Sequence, residues 1–141
     1  MTWVAAMLIA VLAGLALLHA YWGLGGRWPG YDDASLVERV VGRTKSMRAP
    51  PPRACFTVAA ALFAAAALVG LHVSRWPTST FAWWVVTAGF WGTALVFLAR
   101  GLAGFMPIIF RYAEGTPFYR LNRIVYSPLC LAIAAAFVAL G

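Results

Sequence analysis

Two segments of this sequence carry the side chains best suited to binding or proton chemistry. The first is His19-Ala-Tyr-Trp-Gly-Leu-Gly-Gly26, in which His19 and Trp22 are three residues apart and would share one face of a helix. An imidazole exchanges protons or binds metals, and an indole is typical of the border between lipid and water. The two glycines at the end of the segment predict the end of that helix.

The second segment is Asn-Arg-Ile-Val-Tyr-Ser-Pro-Leu-Cys at 122–130, which opens the last apolar stretch. At α-helical spacing Arg123 shares a face with Ser127, and Asn122 shares a face with Tyr126. Guanidinium groups suit phosphate and carboxylate oxygens because their donors form a planar fork. The segment therefore combines cationic and neutral polar groups at one end of a predicted span.

These residues predict a pocket for an anionic headgroup, or for a quinone-like carbonyl that is bonded by His19 or Tyr126. The alternative is that the arginines only anchor the chain at the membrane surface, while the polar side chains form an internal network that joins the helices of the bundle. The candidate ligand-binding residues, which fall at similar predicted depth, are His19, Trp22, Arg100, Arg111, Arg120, Asn122, Arg123, Tyr126 and Ser127.

Other chemistries do not fit the spacing of the remaining residues. His19 and His72 would differ in depth by roughly 20 Å at 1.5 Å per residue, so one haem iron could not bind both. Cys55 and Cys130 form no Cys-x-x-Cys pair, which thiol–quinone oxidoreductases need, and we expect them to be small buried side chains. Zinc, P-loop, dinucleotide and nucleophile-elbow motifs are also missing. We therefore expect no metal, no cofactor and no catalytic residue.

Composition identifies the class of protein. Of 141 residues, 63% are hydrophobic and 11% are charged, whereas an ordinary soluble domain is about 25% charged. So much apolar surface predicts an integral membrane protein. The net charge of +7 then favours membrane orientation and contact with lipid headgroups, and it does not favour binding of nucleic acid.

The apolar stretches predict an all-α fold, a single domain over 1–141 with four transmembrane helices. A span needs about 20 apolar residues. The first stretch has no basic leader and is too long for a signal peptide, so we expect it to be retained. The helices are predicted at about residues 2–24, 54–74, 80–103 and 117–140.

Loop and helix boundaries carry further signals. In the loop 25–53, the segment 33–41 predicts a short interfacial helix with Asp33 as N-cap, although a solvated loop fits equally well. Thr116 and Pro117 predict the start of the fourth span. Pro128 lies inside that span and predicts a kink with a free carbonyl at Ile124.

The basic residues predict the orientation, because cytoplasmic loops are rich in Lys and Arg. The connection between the second and third spans holds only Arg75. We therefore expect the other two connections to face the cytoplasm and both termini to lie on the outer side of the inner (plasma) membrane. The ten basic residues in those connections are Arg27, Arg39, Arg43, Lys45, Arg48, Arg53, Arg100, Arg111, Arg120 and Arg123.

Small residues four apart predict close helix packing in lipid. The pairs are Ala10 with Gly14, Ala66 with Gly70, and Ala88 with Gly92.

The two segments at 19–26 and 122–130 resemble those of the bacterial membrane proteins grouped as domain of unknown function 3995. The resemblance extends over essentially the whole chain and implies a four-helix integral membrane protein, with no established activity to transfer. We expect a non-enzymatic binding or accessory module whose partners are membrane lipids, with a homo-oligomer or a larger membrane complex left open. The alternative is a membrane enzyme or carrier that acts on a lipid or quinone-like ligand.

Overall fold

The computed structural model describes residues 3–76 and 79–141. The predicted start of the first helix at residue 2 and part of the connection after Trp76 lie outside these ranges. Within them the chain is helical and contains no strand. Its elements are α1 (Trp3–Gly23), α2 (Asp33–Val40), α3 (Pro52–Val73), α4 (Thr80–Ala103), α5 (Pro107–Phe110), a 3-10 turn (Arg111–Ala113), α6 (Pro117–Leu121), a π turn (Asn122–Tyr126) and α7 (Ser127–Leu140).

Four helices are long and apolar enough to cross a membrane: α1, α3, α4 and the continuous helical segment Pro117–Leu140, which we call the last span. They indicate a multi-pass membrane protein. The predicted start of the last span at Pro117, with Thr116 before it, is confirmed. The third helix also has its predicted bounds, whereas α3 begins at Pro52 instead of Ala54 because proline suits the first turn of a helix.

The four spans form a closed ring in which α1 packs on α3, α3 on α4, α4 on α7, and α7 on α1. We call the end where α1 and α4 finish and α3 and the last span begin the loop end. The opposite end, which we call the packed end, holds the hydrophobic core. Its buried residues are Ala5, Leu8, Leu12, Ala65, Ala66, Val69, Phe90, Ala94, Ile133 and Phe137.

The predicted stop of α1 is confirmed in detail. Gly25 has a φ of 97°, which glycine adopts without strain. The N–H of Gly26 donates to the carbonyl of Tyr21 at 2.8 Å, the hydrogen bond that closes a Schellman motif. The chain can therefore turn away from the helix axis at Gly25, three residues after Trp22.

The short helix α2 is present, but the prediction of Asp33 as its N-cap is wrong. Asp32 has the extended backbone that an N-cap requires, and its carboxylate accepts from the N–H of Ser35 at 2.8 Å. Asp33 instead forms an ion pair with Arg27. The hydrogen bonds from the N–H and the hydroxyl of Ser35 hold the pKa of the Asp32 carboxyl below its ordinary value.

The predicted packing role of Gly14, Gly70 and Gly92 is wrong for contacts within this chain. A Cβ atom on any of the three would meet nothing within 4 Å. The close helix approach occurs elsewhere, where a Cβ on Gly101 would lie 2.6 Å from Leu131 and one on Gly104 would overlap Ser127. A spacing of four does not identify the inward face, because an apolar helix in lipid has small residues on every side.

The last span contains a π turn just before Pro128, and the predicted kink stays a prediction. The N–H of Ser127 donates to the carbonyl of Asn122, five residues back, and Pro128 then falls in the first turn of α7. A π turn contains one residue more than an α turn, so it shifts every side chain before it around the helix axis relative to those after it.

Candidate functional site

A cavity of about 520 Å³ lies inside the loop end. This volume is typical of pockets that hold a small ligand. All four spans and the loop after α1 contribute to its wall, which is mainly apolar. The lining residues are Leu15, Leu18, His19, Trp22, Trp28, Pro29, Val40, Val41, Pro50, Ala54, Cys55, Val58, Leu62, Phe97, Arg100, Tyr126, Leu129, Cys130 and Ile133.

The loop between α1 and α3 folds back over the cavity and is held there by hydrogen bonds to the spans. The indole N–H of Trp22 donates to the carbonyl of Trp28 at 2.6 Å. The hydroxyl of Tyr126 donates to the carbonyl of Arg39 at 2.9 Å, which ties α2 to the last span. The bond from Tyr126 joins residues that are far apart in sequence, so the position of α2 over the cavity depends on the last span.

His19 lies in the cavity wall with one ring nitrogen already in use. Its Nδ1 atom is 2.8 Å from the carbonyl oxygen of Leu15 in the preceding turn. Since a carbonyl only accepts, Nδ1 carries the proton and Nε2 of the neutral ring is left as an acceptor. The ring also makes an edge contact with Trp22, with centroids 4.9 Å apart, so its orientation is held from two sides.

Arg100 is the one Lys, Arg, Asp or Glu among the described residues that line the cavity. Its Nη2 atom donates to Oδ1 of Asn122 at 2.7 Å, and its guanidinium carbon lies 5.3 Å from the centre of the Phe110 ring. Nη1 is buried and has no hydrogen-bond partner among the described residues. The guanidinium is therefore held in place by neutral groups only.

Asn122 and Ser127 form a buried polar junction beneath Arg100. The side-chain amide of Asn122 donates to the carbonyl of Gly104 at 2.9 Å, and the Ser127 hydroxyl donates to Oδ1 of Asn122 at 3.4 Å. The close approach at Gly104 brings α4 and the last span together here. The junction gives the buried side chains of Asn122 and Ser127 hydrogen-bond partners.

The prediction that Arg123 shares one concavity with His19 is wrong. Arg123 is exposed, does not line the cavity, and lies over the ring of Tyr119 at 6.0 Å from its centre. The physical reason is the π turn, which joins Asn122 to Ser127 at a spacing of five. The sequence-based pairing of Arg123 with Ser127 assumed an α-helical spacing of four.

The nine candidate residues thus fall into three groups. His19, Trp22, Arg100 and Tyr126 line the cavity; Asn122 and Ser127 are buried next to Arg100; and Arg111, Arg120 and Arg123 are exposed. Ligand binding by any of them stays a prediction.

Sequence reasoning missed the contribution of both cysteines and of the loop to the cavity. Cys55 and Cys130 are free thiols, one from α3 and one from α7, and both line the wall. In the loop, the spacing of apolar and polar residues in α2 did predict a helix with one apolar face. Nothing local in the sequence shows that this face covers a cavity. The residues described contain no cluster of three or more His, Cys, Asp or Glu that could hold a metal ion.

Four helices long and apolar enough to cross a membrane, with a cavity at one end, indicate a helical protein of the multi-pass membrane type. The family model described as "Protein of unknown function (DUF3995)" matches residues 12–137, and the chain belongs to this family. The resemblance seen in the two sequence segments is thereby confirmed. No curated protein and no solved structure matched the chain.

Proposed function

We propose that this protein is a non-enzymatic binding module that takes a hydrophobic ligand from the membrane into the loop-end cavity. The observation that carries the proposal is the cavity itself: about 520 Å³, apolar along its walls, with a few polar groups that come from different helices. Binding sites for small ligands have this build, an apolar pocket in which a few polar groups set the orientation.

The hydrogen bonds of the wall support binding more than catalysis. The polar hydrogens of Trp22 and Tyr126 are donated to backbone carbonyls of the covering loop, and Nδ1 of His19 is used by its own helix. These side chains hold the shape of the cavity. A preformed cavity binds more tightly because little conformational entropy is lost when the ligand enters.

Native mass spectrometry of the full chain in detergent tests this proposal. The parent protein should carry a reproducible extra mass. Leu18→Trp fills the cavity and should remove that mass. Leu17→Trp is the matched control, since Leu17 is the preceding residue but is 61% exposed on the outside of the bundle. A parent chain without bound mass, or equal loss in both variants, contradicts the proposal.

The proposal includes a location and an orientation. The excess of Lys and Arg at the loop end supports a cytoplasmic position for that end, with both termini outside, in the plasma membrane. Membrane lipids are then the natural partners. In a background with Cys55→Ala and Cys130→Ala, an impermeant thiol reagent should label Ser79→Cys in intact cells and Lys45→Cys only after lysis. The reverse pattern would place the cavity in the outer leaflet.

A second candidate is an enzyme or carrier that acts on a lipid or quinone-like ligand, and one observation favours it. Nε2 of His19 is left free as a base in the cavity wall. If His19 takes part in a reaction, the parent should carry two bound masses that differ by a chemical group, and His19→Gln should carry one. The same single mass in both proteins would contradict this candidate.

A further inference from the structure

The loop-end cavity is lined by a basic side chain that has no acidic partner. Among the described residues that line it, Arg100 is the one Lys, Arg, Asp or Glu, and its hydrogen-bond partner is the neutral amide of Asn122. The one ion pair among residues 3–76 and 79–141 joins Arg27 to Asp33, so none of the four acidic residues neutralises Arg100. One guanidinium nitrogen also has no hydrogen-bond partner in that part of the chain.

A second arginine adds to this positive potential. Arg39 lies within electrostatic range of Tyr126, as Arg100 does of Cys130, and both Tyr126 and Cys130 line the cavity. No Asp or Glu in the described part of the chain lines it. A low-dielectric wall focuses the field of such charges into the cavity, where water screens them poorly.

An uncompensated arginine in a span is costly, and its usual partners in membrane proteins are acidic side chains, backbone carbonyls or a functional ligand. Here the chain supplies an amide and an aromatic ring. A negatively charged ligand would offset the cost, whereas a neutral quinone or alcohol would leave the charge in place.

We propose that the ligand is a single-chain anionic amphiphile, one alkyl or isoprenyl chain with a carboxylate or phosphate headgroup whose charge is attracted by Arg100. This proposal rests on the proposed function of the cavity as a hydrophobic binding site. The volume of about 520 Å³ lies in the range of pockets for drug-sized ligands, so it suits one chain better than a two-chain phospholipid.

The test compares ligands that differ only in headgroup. The full chain in an uncharged detergent is titrated with oleate and oleyl alcohol, and separately with farnesyl phosphate and farnesol. The titration is run at about pH 8.5, because an apolar environment raises the pKa of a carboxyl group. Binding is read from the fluorescence of Trp22 and Trp28, which line the cavity. We expect at least one anion to bind about tenfold or more tightly than its alcohol, which corresponds to about 1.4 kcal/mol.

Two variants test whether the charge of Arg100 causes the preference for an anion. Arg100→Gln removes the charge, and Asn122→Asp keeps the arginine but places an internal carboxylate against it. Both should reduce the preference for the anion to about twofold or less while leaving the affinity for the alcohol unchanged. Arg123→Gln is the matched control, since Arg123 is exposed and does not line the cavity, and it should behave as the parent.

The outcomes distinguish the proposal of an anionic ligand from the proposed function of the cavity as a binding site. A preference for oleate identifies a fatty carboxylate, and a preference for farnesyl phosphate alone identifies an isoprenyl phosphate. Equal binding of anion and alcohol by the parent overturns the anionic ligand but leaves the proposed function standing. No binding of any of the four ligands overturns both. A preference that survives in Arg100→Gln and Asn122→Asp overturns the role of Arg100. If neither variant folds, the headgroup comparison on the parent still decides the charge of the ligand.

Discussion

The two ends of the bundle are built from the same four helices, yet one is filled and the other is hollow. At the packed end the rings of Phe90 and Phe137, both without exposed surface, meet with centroids 4.8 Å apart. His72 stacks on Phe90 at 4.0 Å and continues this aromatic cluster. At the loop end the side chains that face inward, from Ala54 and Cys55 to Phe97 and Tyr126, line a cavity of about 520 Å³.

This difference shows how one bundle can combine stability with a binding site. Packing at one end holds the helices together by dispersion contacts, which depend on complete filling of space. The loop end replaces some of that filling with hydrogen bonds between helices and loop, which keep the wall in place without closing the cavity.

The largest effect is expected in the packed end. Phe137→Ala removes a buried ring that contacts both Phe90 and Phe97, and should lower the free energy of unfolding by about 3–5 kcal/mol. Val138→Ala, at the next residue, which is 63% exposed, should change it little. Unfolding in detergent followed by circular dichroism measures both. Equal effects would mean that the packed end does not carry the stability.

The junction between α4 and the last span should be the next most sensitive position. Gly104→Val would push a side chain into Ser127 and should cost about 1–3 kcal/mol through overpacking. Gly92→Val on the same helix points into open space and should have almost no effect on the melting temperature. A larger loss for Gly92→Val would show that this face of α4 is covered, for instance by a second copy of the chain.

A smaller and more local effect is expected where the loop is tied to the last span. Tyr126→Phe removes the hydrogen bond to the carbonyl of Arg39, which is typically worth about 1 kcal/mol. Hydrogen exchange should become faster in α2 but not in the packed end. Tyr119→Phe serves as the control at the same end of the bundle. Unchanged exchange in α2 would show that the cover of the cavity does not depend on this bond.

The smallest expected effect is a pH dependence of the loop. The pKa of Asp32 is lowered in the folded loop, so the contribution of its cap to α2 is complete above the ordinary value of 3.8 and is lost as the pH falls through the lower folded value. Exchange in α2 should therefore accelerate in acid. Asp32→Asn retains an N-cap that does not titrate and should abolish this pH dependence. The same acid response in both proteins would assign the effect to another group.

Much of the fold could be predicted because the signals for it are local. Hydrophobic length identified the four spans, Thr116 and Pro117 marked the start of the last one, and the glycines after Trp22 marked the end of α1. The candidate site was predicted only in part. His19, Trp22, Arg100 and Tyr126 do line one cavity, but Arg123 lies outside it.

The amino-acid sequence by itself determined the class of protein, the number of spans and the residues that end them, because apolar length and capping preferences act within a few turns of the chain. Only the tertiary structure decided which faces point inward. The π turn pairs Asn122 with Ser127 and turns Arg123 outward, and the loop after α1 becomes the cover of the cavity. The reason is that these outcomes depend on contacts between residues far apart in sequence, and an apolar helix carries no periodic pattern that separates the face toward its neighbours from the face toward lipid.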